Sequence, residues 1–167
     1  MTTRQTRAWA YLSRVAEPPC RQLADLVDQV GPVEAAERVR VGAVEASLAQ
    51  RTEARREIDS AAEDLDLLHS RGGRLVTADD EEWPGLAFAA FGGSSFGGQP
   101  VRDKAEGHAP LALWVIGNAS LDEVSERAAA IVGTRASTAY GEHVAGDLAA
   151  GLAEHEVAVV SGGAIVL

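Results

Sequence analysis

Three short apolar runs, the last two bracketing an amphipathic helix, constrain this 167-residue chain more than any other feature. Leu111-Ala112-Leu113-Trp114-Val115-Ile116 is bounded by Pro110 and Gly117, and Ala129-Ala130-Ile131-Val132-Gly133 and Val157-Ala158-Val159-Val160-Ser161 follow it. Runs without polar alternation predict strands buried on both faces, as in a parallel sheet. Between the last two, Val144, Leu148 and Leu152 fall at i, i+4, i+8 and predict a helix over about 138–154. Strand, helix, strand in that order is a β-α-β unit, which implies a right-handed crossover and α/β architecture.

The first seventy residues carry a different period. Trp9, Leu12 and Ala16 form one helical stripe, and Leu23, Leu26, Val27 and Val30 form a second. Glu17-Pro18-Pro19-Cys20 makes a stiff connection between them, because neither proline offers an N–H to a helix. Gly31-Pro32 stops the second helix and can start a third. Ala54, Ile58, Ala61, Leu65 and Leu68 then predict one long helix over roughly 51–70, ended by Arg71-Gly72-Gly73. Arg74 to Thr77 reads as a short strand, Asp79 to Glu82 as a solvated acidic turn, and residues 92–100 as a glycine-rich flexible loop. The expected organisation is a helical domain over 1–71 and a parallel-sheet domain over 72–167, with no internal repeat.

Charge and cysteine content narrow the function classes. Lys and Arg number 15 against 25 Asp and Glu, a formal net charge of −10. Bulk attraction to a nucleic-acid backbone or an anionic membrane is thereby excluded, so any such binding must be local. The one cysteine, Cys20, rules out a disulfide framework or a thiolate zinc cluster. No apolar run is long enough for a spanning helix, and a soluble, cytoplasmic protein is expected. Arg4, Arg7 and Arg14 without an acid echo a transit peptide, but the same stretch reads as a first helix. His69, His108, His143 and His155 lack metal-ligand spacing, Cys20 lacks a catalytic partner, and Trp9, Trp83 and Trp114 read as packing residues. No metal, no cofactor and no catalytic residue are expected.

One stretch carries chemistry. Ile131-Val132-Gly133-Thr134-Arg135-Ala136-Ser137-Thr138 places a glycine and an arginine at the carboxyl end of a strand, and hydroxyls at the start of a helix. Such a turn points backbone N–H groups and the positive end of the helix dipole at one spot, which suits a phosphate. Arg135 adds a bidentate donor. Ser161-Gly162-Gly163 closes the next strand and is expected beside it. Neither the dinucleotide fingerprint nor a P-loop is present. On these residues alone, phosphate binding and a structural tight turn both stay open.

The series Ile-Val-Gly-Thr-Arg, Tyr-Gly, a helix, then Val-Ala-Val-Val-Ser-Gly-Gly-Ala resembles the DNA-processing protein A (DprA/Smf) family. The segments Gly72 to Pro84 and Pro110 to Gly117 match it in the same order, and residues 7–70 fit its sterile-alpha-motif-like helical domain. The resemblance implies a Rossmann-like sheet, a phosphate site at Gly133, Thr134, Arg135, Ser137, Ser161, Gly162 and Gly163, and no enzymatic activity. It further implies binding and protection of single-stranded DNA, loading of the RecA recombinase during natural transformation, and a homodimer in the full-length family. The chain departs from the family in following Ser-Gly-Gly-Ala with Ile165-Val166-Leu167 alone, so it is expected to stop within the Rossmann-like domain. The sheet edge at Val157 to Val160 is then expected to be exposed, and the carboxyl half to unfold or aggregate while residues 7–70 stay folded. Glu17-Pro18-Pro19-Cys20 also stands where helical-hairpin DNA-binding modules carry glycines, which argues against DNA contact by the helices. The competing readings are an enzyme related to the lysine-decarboxylase-like nucleoside monophosphate phosphoribohydrolases, whose Gly-Gly-x-Gly-Thr motif is missing, and a plain nucleotide-binding module.

Overall fold

The computed structural model describes residues 3–89, 109–134 and 137–162. Helices are followed by a small antiparallel and a small parallel sheet, an α/β fold, and packing groups the chain into two compact units, Met1–Asn118 and Ala119–Leu167.

The first unit opens with α1 (Arg4–Val15), capped by Thr3, whose hydroxyl oxygen accepts the Thr6 N–H at 3.1 Å. Its Trp9 and Leu12 are buried, as the stripe predicts. In α2 (Arg21–Val41) the anticipated stop is present: Gly31 has φ 78 and ψ 163, open only to glycine, and Pro32 begins the second segment at a position that needs no N–H. Two further helices follow, α3 (Ala46–Thr52) and α4 (Ala61–Ser70).

The single helix expected over 51–70 is therefore broken. The Thr52 hydroxyl donates back to the Leu48 carbonyl, and the Arg55 and Arg56 N–H groups both fold onto the Thr52 carbonyl. The Asp59 carboxylate takes the Ala61 N–H at 3.3 Å and the Arg40 guanidinium at 2.8 Å, so a new helix starts there. A continuous helix would also have stacked Arg51 over Arg55 and Glu53 over Glu57. Ala61, Leu65 and Leu68 reach the core as expected, whereas Ala54 and Ile58 lie in the break, with Ile58 63% exposed.

That break is tied to the core through Tyr11. The buried Tyr11 hydroxyl donates to the Arg56 carbonyl at 2.8 Å, and the Arg40 guanidinium lies 4.2 Å from its ring centre. Burial pushes the phenol above its usual value near 10. The unfolded chain thus loses this proton first, and the stability held by neutral Tyr11 is present below pH 10 and falls as pH rises through the folded value. Replacing Tyr11 by Phe should cost about 1 kcal/mol in urea unfolding at neutral pH and remove this alkaline component.

After α4, strand β1 (Gly73–Thr77) pairs with β2 (Ala112–Ile116) from Gly73↔Ile116 to Thr77↔Ala112. A Cβ at Gly73 would lie 2.4 Å from Leu68 Cδ1 and 2.6 Å from the Val115 carbonyl oxygen, so only glycine lets the helix end and the strand pair coincide. The pairing corrects the expected parallel strand buried on both faces: it is antiparallel, and after the buried Ala112 the strand alternates, with Leu113 and Val115 partly buried and Trp114 and Ile116 exposed. Helices α1 and α4 cover β1, while Leu75 and Leu111 join the helical core.

The acidic turn is also more than solvated surface. Asp79 accepts from Gln5 and from the Trp9 indole, Asp80 from the Thr77 N–H and hydroxyl, and Glu82 pairs with Arg74, whose ionised form this bond favours. The turn leads into the short α5 (Gly85–Phe88), where Phe88 packs on Trp83 with ring centres 5.1 Å apart.

The second unit comprises α6 (Leu121–Glu126), β3 (Ala128–Ala130), α7 (Ala139–Glu154) and β4 (Ala158–Val160). Strands β3 and β4 pair in parallel, Ala128↔Ala158 to Ala130↔Val160, with α7 between them in sequence, so the β-α-β unit forms as its pattern predicts. The Arg127 guanidinium donates to the His155 carbonyl at 2.9 Å, tying the start of β3 to the end of α7. Among the described residues of this unit none is fully buried; Val132 is 87%, Leu148 55% and Val160 57% exposed. Val159, in the same strand, is 38% exposed.

Candidate functional site

The parallel register fixes what can meet at the carboxyl end of this sheet. The Ile131 N–H donates to the Val160 carbonyl at 2.9 Å, so Val132-Gly133-Thr134 and Ser161-Gly162 leave the strands at the same edge. Gly133 and Gly162 are exposed, and a Cβ on either would meet nothing within 4 Å, which leaves their backbone open to a ligand. Thr134 and Ser161 are exposed as well. Arg135 and Gly163 lie outside the described residues.

Helix α7 begins at the same turn. Its cap is Thr138, whose hydroxyl oxygen accepts the Gly141 N–H at 3.2 Å, while the Thr138 carbonyl accepts the Glu142 N–H at 3.0 Å. Capping by Thr138 leaves Ser137 for another role: its hydroxyl donates to the Glu142 carboxylate at 3.1 Å. Sequence reasoning grouped Ser137 with the phosphate donors and overlooked Glu142, a carboxylate set in the first turn where the helix dipole favours negative charge. An anion arriving at this turn meets that carboxylate and competes with it for Ser137.

Cationic side chains are scarce in this part of the sequence. Residues 119–167 contain two arginines, Arg127 and Arg135, and no lysine, against seven carboxylates. Arg127 is committed to the His155 carbonyl. Among the described residues no group of three His, Cys, Asp or Glu side chains could hold a metal ion, and no helix is long and apolar enough to cross a membrane. Trp9 and Trp114 are held by their indole N–H groups, to Asp79 and to the Ser13 hydroxyl, and Trp83 by its packing on Phe88. Tyr140, in the first turn of α7, is 76% exposed.

Residues 74–166 match the family model described as DNA recombination-mediator protein A. Two curated relatives, from Mycobacterium tuberculosis strains CDC 1551 / Oshkosh and ATCC 25618 / H37Rv, carry the name DNA processing protein DprA. Each is 70% identical over 158 residues, 95% of this chain, and the chain spans 39% of the length of each. No solved structure matches the chain.

Proposed function

Because the chain belongs to the DNA recombination-mediator protein A family, we propose that it binds single-stranded DNA through the turns at the carboxyl edge of the β3–β4 sheet. The observation that carries this reading is the parallel register, which brings Gly133-Thr134 and Ser161-Gly162 to one edge at the start of α7. In this reading the open glycine backbones and the helix dipole receive a phosphate, with Arg135 as the charged donor and Ser137 and Gly163 beside it. The protein is a mediator without chemistry of its own: it shields incoming single-stranded DNA, loads RecA on it during natural transformation, works in the cytoplasm and pairs as a homodimer. Residues 1–71 serve as its helical module and 72–167 as the Rossmann-like one. A phosphoribohydrolase reading is not favoured, since the family match runs through the very residues that lack the enzyme's Gly-Gly-x-Gly-Thr motif.

Fluorescence anisotropy with a labelled single strand tests the assignment. Replacing Arg135 by Ala should weaken binding by at least about 1 kcal/mol, the scale of one charge-assisted hydrogen bond. The same substitution at Arg21, on the exposed face of α2, should change nothing. Equal affinity for the wild type and the Arg135 variant would remove the site.

A further inference from the structure

We infer that Tyr140 is a base-stacking residue, offering its ring to an unpaired nucleobase of the strand whose phosphate occupies the adjoining turn. The inference rests on the single-stranded DNA reading above and supplies a contact that the reading lacks, one that a paired and stacked duplex base cannot make.

Tyr140 lies two residues past the Thr138 cap, in the first turn of α7, and is 76% exposed. It differs from every other described aromatic side chain. Trp9, Tyr11 and Trp114 each donate a hydrogen bond, and Trp83 and Phe88 pack on one another. Tyr140 has neither a hydrogen bond nor a ring contact among the described residues. No described side chain engages its ring or hydroxyl, yet it stands at the same helix start as the glycine turns. Val132, on the turn leading to this helix, adds an apolar side chain that is 87% exposed.

The charge balance selects the kind of nucleic acid. With two arginines against seven carboxylates over residues 119–167, this unit cannot track the phosphates of a duplex. One or two anion contacts must be supplemented by something that charge does not govern. Stacking on an aromatic face does this, is tolerant of sequence because every base has a π-face, and requires an unpaired strand.

The test uses the full chain, a labelled oligothymidine 20-mer and an abasic strand of equal length that keeps the phosphates and lacks the bases. Tyr140→Ala should weaken oligothymidine binding at least about five-fold and leave abasic binding unchanged. Tyr140→Phe, which keeps the ring, should match the wild type on both strands. Unchanged oligothymidine affinity in Tyr140→Ala, or equal weakening on both strands, overturns the stacking role. Failure of the wild type to bind either strand overturns this inference together with the phosphate reading. An Arg135→Ala variant that binds both strands normally, while Tyr140→Ala discriminates between them, removes the phosphate reading alone.

Discussion

Hydrogen exchange at neutral pH should show strong protection through α1, α2 and α4 and rapid exchange through residues 128–160. Every described side chain that is fully buried lies in Met1–Asn118, among them Leu12, Leu23, Val39 and Leu65, and these hold the helices against one another. Opening their amides requires exposing that apolar surface to water, at a cost approaching the global stability of the unit. Among the described residues the second unit has no comparable restraint. Its strands are three residues each, and a lone 16-residue helix is marginal in water without a packed face. Leu148 and Val160 are more than half exposed, so folding removes little of their surface from water. The same exposed edge should make this half associate with other chains at high concentration. A bound single strand would favour the folded form of the unit by mass action. Protection in 128–160 equal to that in α1 and α4, without DNA, would show that the β-α-β unit stands alone.

What could be read from the residues divides along a physical line. The stripes of α1 and α2, the stop at Gly31-Pro32 and the β-α-β order of β3, α7 and β4 follow from local periodicity and from backbone chemistry that glycine and proline impose at their own positions. The errors arose where a distant group decided. An apolar run has no direction, so Leu111 to Ile116 could not disclose that its partner is Gly73–Thr77, running the opposite way. Asp79 to Glu82 have the composition of a solvated loop, and only the tertiary fold brings Gln5, Trp9 and Arg74 to them. At the candidate site, the glycines and the helix cap were visible as a pattern. Glu142 was not, because its bond to Ser137 spans five residues, outside the three-residue spacing of a capping box. Tyr140 carries no such pattern, because exposure, not sequence position, distinguishes it.

The break between α3 and α4 can be tested with two alanines. Leu65 and Ile58 lie seven residues apart and share one face of any continuous helix over 51–70, so a single long helix would bury both. Instead, Leu65 is 0% exposed inside the helical core, and Ile58 is 63% exposed in the turn between the helices. Replacing Leu65 by Ala removes buried methyl groups and leaves a cavity that the surrounding helices fill only partly, for a loss of about 2–5 kcal/mol. Replacing Ile58 by Ala removes surface already in water and should stay within about 0.5 kcal/mol of the wild type. Urea unfolding followed by far-ultraviolet circular dichroism should show a large drop in midpoint for the first variant and almost none for the second. Comparable losses at both positions would mean that Ile58 is packed, and that Tyr11 and Asp59 do not hold the chain out of a continuous helix between Thr52 and Ala61.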